Sequence, residues 1–219
     1  MKKDMLGAVV RKLVEIPSEM LGAIYDFLEK LLGSESQEWL AEFKKFLRKE
    51  KYWTGVMAET LLELISTVTM PARLEKFVAK NHFIVDTSRK AKVKIDYLGD
   101  NFRNNFLNKI EEAISEIEFR YQKLKKHSRD IPIINELGGD EKAETMLSVI
   151  FDLMKMQPNG ENGPLITNGY ANIFYARDIA GVLWAVHCRW YGGGWGVSAH
   201  SVDSPSDWRD GSQVFSRNS

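Results

Sequence analysis

The chain has 219 residues, 44% hydrophobic and 27% charged, which is ordinary globular usage and enough to bury a core without covalent staples. Thirty basic residues balance thirty acidic ones, so the broad basic excess of a duplex-binding domain is missing, and the single cysteine, Cys188, rules out an internal disulfide and fits a reducing cytosol. The apolar run near the start is broken at Arg11, too early for a secretory signal, and no stretch reaches the roughly 18 uncharged apolar residues of a membrane-spanning helix.

Residues 5–15 place Val9, Val10, Leu13 and Val14 on one helical side. Pro17 suits the first turn of a second helix, whose stripe is Met20, Ile24, Phe27, Leu28, Leu31 and Leu32, with Gly33 as its stop. Ser34 and Gln37 have capping-box spacing before a third helix carrying Trp39, Leu40, Phe43, Phe46 and Leu47. A fourth helix is expected over about 55–66, and the set reads as an antiparallel bundle ending near residue 69.

The remainder, 70–219, reads as a mixed α+β domain. A short helix is expected from Pro71 to Ala79, then strands at 83–86 and 91–98, the second alternating Val93, Ile95 and Tyr97 against lysines and Asp96. The longest predicted helix spans 102–124, on Phe102, Phe106, Ala113, Ile117, Tyr121 and Leu124. Another starts at Gly138-Gly139-Asp140 and turns Ala143, Leu147, Ile150 and Met154 inward.

Residues 157–164 break this pattern, and the chain changes character beyond them. No lysine follows Lys155, and four of the six tryptophans lie in the last 36 residues. Short strands are expected at 170–177, 182–191, 195–202 and 213–217. Asp178–Gly181 fits a hairpin loop with Gly181 left-handed, which pairs Ala176 with Trp184 and Phe174 with Val186. The fold class is therefore α+β, an N-terminal helical segment plus a C-terminal antiparallel sheet covered by two long helices.

Candidate chemistry is sparse. Alternation sends His187 and Cys188 to opposite faces, which makes Cys188 a core residue rather than a nucleophile. His200 lies on the face of Ser198 with Asp203 shortly after it, the residue types of an imidazole oriented by a carboxylate beside a hydroxyl, though no nucleophile-elbow motif accompanies them. The histidines at 82, 127, 187 and 200 are too scattered for a metal set, and no cofactor motif is present. Lys123–Lys126 reads as a basic helix end, and with Lys90, Lys92 and Lys94 it leaves nucleic acid as a second reading of the partner. Among the tail aromatics, Tyr175, Tyr191, Trp195 and Trp208 are expected to build an exposed recognition surface.

FKKFLRKEKYW (43–53), KIDYLGDNF (94–102), ITNGYANIFYARD (166–178) and DGSQVFSRNS (210–219) resemble segments of uncharacterised proteins encoded by candidate-phylum (Patescibacteria-type) bacteria, over roughly residues 36–219. The resemblance implies a bacterial, cytosolic origin and no catalytic residue. The function expected from the residues is non-catalytic binding or assembly through the aromatic sheet surface, with a protein partner or self-association. A nucleic-acid-associated protein comes next, and a hydrolase centred on His200 last.

Overall fold

The computed structural model describes residues 7, 10–12, 15, 17–48 and 60–218. The chain divides into two compact units, Met1–Glu59 and Thr60–Ser219. The expected first helix, 5–15, lies largely outside the described residues, as does the part of the expected helix over about 55–66 that precedes residue 60.

In the first unit the two expected amphipathic helices form, α1 (Ser18–Leu32) and α2 (Ser36–Leu47), joined at Gly33. They meet through Phe27 and Phe43, whose ring centroids are 4.5 Å apart, and the Lys30 ammonium sits over the Trp39 ring. No described residue of this unit is buried.

The second unit is a mixed helix-and-sheet structure, as the α+β reading requires. Its strands are β1 (Leu62–Met70), β2 (Phe77–Val78), β3 (Ile95–Leu98), β4 (Ile110–Glu111), β5 (Ile117–Leu124), β6 (Asn172–Arg177), β7 (Leu183–Trp190), β8 (Trp195–Ser201) and β9 (Gln213–Arg217). Seven of them form one sheet in the order β1-β5-β9-β6-β7-β8-β3, antiparallel except at β6–β9 and β3–β8, while β2 and β4 pair separately. The helices are α3 (Asp100–Phe106), α4 (Asp130–Leu137), α5 (Asp140–Ala143) and α6 (Leu147–Met156).

The C-terminal strands fall where the alternation places them, and the β6–β7 register pairs Ala176 with Trp184 and Phe174 with Val186. Asp178 holds the connecting turn: Oδ1 accepts the Ala180 and Val182 amides, and Oδ2 accepts Trp184 Nε1. Gly181 has φ +81°.

Four expectations are corrected. Residues 62–66 belong to a strand rather than a helix, which moves the border between the units from 69/70 to 59/60. Residues 71–78 are not helical; Arg73 makes a bridge to Ile114, Phe77–Val78 is a strand, and only Ala79 enters a short 3-10 turn, Ala79–Asn81. Residues 83–86 form no strand, and only Asp86 bridges to Ile95. The long helix over 102–124 is the seven-residue α3 followed by β4 and β5, so no pair of long helices covers the sheet. Asn101, Asn104, Asn105 and Asn108 are poor helix formers, while Ile117, Phe119 and Tyr121 alternate as a half-buried strand does.

Both faces of the central strands are covered. On one, Phe174, Val186, Cys188, Trp195, Val197 and Phe215 pack with Phe102 and Phe106 of α3 and with most of α6. On the other, Ile173, Tyr175, Ala185, Val214 and Trp208 pack with Ile133, Ile134 and Leu137 of α4. Glu111 of β4 is buried and accepts the Leu147 and Ser148 amides, closing the N-terminus of α6 from 36 residues away. Among the described residues no helix is long and apolar enough to cross a membrane.

Candidate functional site

The densest polar constellation lies on the α4 face of the sheet, and it is centred on a residue that the sequence reading passed over. Asp130 opens α4 and is fully buried. A carboxylate there is tolerable only with donors on both oxygens. Oδ1 accepts Tyr175 Oη from β6 at 2.9 Å and Trp208 Nε1 at 2.7 Å, and Oδ2 faces His200 Nε2 of β8 at 3.1 Å. Trp208 is fixed in turn by a two-bond bridge to Ser128, beside the start of α4. Burial, then the Asp130 charge and hydrogen bond, push the Tyr175 phenol well above its ordinary pKa.

Strand alternation delivers His200 to this face, since Trp195, Val197 and Ala199 point into the opposite core. His187 of β7, opposite Ser198 in register, joins it. The His187 ring stands 5.8 Å from that of His200 and meets Trp208 edge-on at 5.1 Å, while His200 and Trp208 are 4.7 Å apart. Burial first, then the charges of Arg189 and His200, lowers the His187 pKa to about 3, so the ring is neutral, and its Nδ1 is buried without a hydrogen-bond partner.

His200 thus has a carboxylate partner, but it is Asp130, 70 residues away, rather than the expected Asp203. Asp203 is exposed in a turn, where its amide donates to Ser201 Oγ. Ser198 shares the face of His200 and makes no hydrogen bond to it. Residues two apart on a strand stand nearly 7 Å apart, beyond hydrogen-bond reach for such short side chains. The hydroxyl that a His-centred nucleophilic mechanism needs is not brought to His200. What the constellation does is tie α4, β6, β8 and the segment before β9 together through one carboxylate.

The expected aromatic surface is also corrected. Tyr175, Trp195 and Trp208 are buried, and Tyr191 alone of the four is exposed, at 59%. With both faces of the central strands covered, aromatics pointing to either side of them become core. Trp195, for example, lies in the α6-side core and donates Nε1 to the Gln157 carbonyl. Lys123–Lys126 ends a strand rather than a helix, and Lys90, Lys92 and Lys94 belong to the segment leading into β3. Cys188 is buried, with its thiol pKa pushed far up by desolvation. Gly192–Gly194 makes the expected turn from β7 into β8, with Gly192 at φ +84°.

Trp208 has a second environment. Beyond it a cavity of about 500 Å³ is lined by Asn168, Tyr170, Arg189, Asp207, Arg209 and Ser212 among others. Arg189 follows His187 on the same face of β7, and its Nε is buried with no hydrogen-bond partner. Asp207 is engaged by Arg129 at 3.4 Å. Arg209 makes no ion pair among the described residues, so the cavity carries two uncommitted guanidinium groups. The sequence signal for this was weak: arginines at 189 and 209 stand out only because the tail is otherwise poor in cations. Among the described residues no group of three or more His, Cys, Asp or Glu side chains could hold a metal ion.

The chain matches no protein-family model, no curated protein and no solved structure.

Proposed function

We propose that the protein binds its ligand without transforming it, and that it holds an anionic group of that ligand in the cavity lined by Arg189 and Arg209. One observation carries the reading: Arg189 lines the cavity, and its buried Nε–H has nothing to donate to. A buried donor left unpaired costs on the order of 1–3 kcal/mol, and more when charged. An incoming carboxylate or phosphate offers the bidentate geometry that a guanidinium fork takes best. Binding by an arginine cavity replaces the exposed aromatic surface expected from the sequence. We also place it in the cytosol, which suits a chain whose one cysteine is a free thiol.

The hydrolase reading keeps one observation in its favour, the 3.1 Å contact of His200 with Asp130. Among the described residues no hydroxyl or thiol hydrogen-bonds that imidazole.

Thermal unfolding in matched ionic strength, with inorganic phosphate, sulfate, acetate or chloride, tests the proposal. Phosphate or acetate raises the midpoint over chloride by mass action, Arg189→Ala abolishes the rise, and Arg189→Lys restores only part of it. Equal midpoints in all four salts, or an unchanged response in Arg189→Ala, overturn it.

A further inference from the structure

The Arg189 cavity does not end at Tyr170. A second cavity, of about 600 Å³, is lined by Lys123, Lys125, Asp210 and Gly211, and it shares Asn168 and Tyr170 with the first. The two cavities adjoin at these residues, near the ends of β5, β6 and β7. Cations stand at both ends, Arg189 and Arg209 at one and Lys123 and Lys125 at the other. Two of the acids along them are committed, Asp207 to Arg129 and Asp210 to His127 at 3.3 Å, while Glu63 stands opposite Lys123 in the β1–β5 register. Midway stands the phenol ring of Tyr170, 41% exposed. It rests against Gly211, where a Cβ would stand 3.5–3.8 Å from the ring carbons. Gly211 is at φ +86°, so the backbone there also suits a residue without a side chain.

We infer that the ligand is a single-stranded nucleic acid, its phosphates held at the two cationic ends and a base stacked on Tyr170. The inference rests on the anion-binding reading and names the ligand class. A pair of cavities with charge on either side of an exposed ring, and an amide, Asn168, beside it, is the chemistry that takes single strands without a broad basic face. That agrees with a net charge of zero, which disfavours duplex. An acidic peptide would use the cations and leave Tyr170 idle.

The test is fluorescence anisotropy of the full chain with a labelled mixed-sequence octanucleotide, as DNA and as RNA. The arms that compete are unlabelled duplex, poly-glutamate and inorganic phosphate. Engaging about three phosphates gives a log–log salt slope of about −2. Tyr170→Ala weakens binding about tenfold, Tyr170→Phe holds within about twofold, and Lys125→Ala makes the salt slope shallower. The DNA and RNA arms decide whether a 2′-hydroxyl is read. Wild-type affinity in Tyr170→Ala, or poly-glutamate competing as well as the oligonucleotide, overturns the inference. If phosphate stabilises the protein through Arg189 while no oligonucleotide binds, this inference falls and the anion-binding reading stands. If an oligonucleotide binds and Arg189→Ala is without effect, the Arg189 reading falls.

Discussion

His187 and Cys188 are neighbours in sequence, and burial drives their titration in opposite directions. The Cys188 thiol is forced up, so it stays protonated and unreactive. A thiol reagent should label it slowly in the native protein and at the ordinary rate after denaturation, as a timed absorbance assay would show. The His187 imidazole is forced down to about 3 from 6.5, so between those values the unfolded chain binds a proton that the native protein refuses. Stability from this residue is therefore full above about pH 6.5. It is lost as pH falls, by up to about 1.4 kcal/mol per pH unit. Urea midpoints at pH 7 and pH 5 should differ less in His187→Phe than in the parent. Asp130 makes a third prediction. Alanine there strands the Tyr175 hydroxyl and the Trp208 indole N–H, and should cost about 3 kcal/mol or more in urea unfolding, whereas Asp203→Ala should be near neutral. The side of the strand that Cys188 takes was legible, because alternation is a local rule. The role of Asp130 was not, because its partners lie 45, 70 and 78 residues along the chain.

The same division of local and distant information separates the elements. The β6–β7 hairpin is set by its own turn chemistry, and its register followed from Asp178 and Gly181 alone. A Cβ at Gly181 would meet nothing within 4 Å, so Gly181→Ala isolates the backbone cost of φ +81°. It should lower stability by about 1 kcal/mol, read from a shift in the denaturation midpoint. By contrast, β5 was read as helix because Phe106, Ile110, Ala113, Ile117, Tyr121 and Leu124 satisfy a three- and four-residue spacing. Ile117, Phe119 and Tyr121 equally satisfy a spacing of two, and the choice between them is made by β1 and β9, which pair with β5 on either side. Phe106 is buried as expected even though the helix around it is short. A hydrophobic position can be read correctly when its element is not. The arginine-lined cavity was hidden for a related reason: the hairpin predicted the strand that carries Arg189, but nothing local places Asn168, Tyr170 and Arg209 beside it.

At the scale of the molecule, Thr60–Ser219 contains two cores of its own, and the helical pair α1 and α2 contains no buried residue among those described. A fragment of residues 60–219 should therefore unfold cooperatively by circular dichroism. A fragment of residues 1–59 should show weak, non-cooperative helicity, since two short helices gain little without a buried face. The sheet order has a consequence in time. β9, the last strand among the described residues, occupies the third position of seven, between β5 and β6. During synthesis the β1–β5 pair and the β6-to-β8 meander emerge first as two half-sheets with bare inner edges, which no strand pairing joins until residues 213–217 leave the ribosome. A nascent chain halted before Gln213 should then remain protease-sensitive and lean on chaperones that shield open strand edges. Release of those five residues would act as the latch that commits the whole sheet at once.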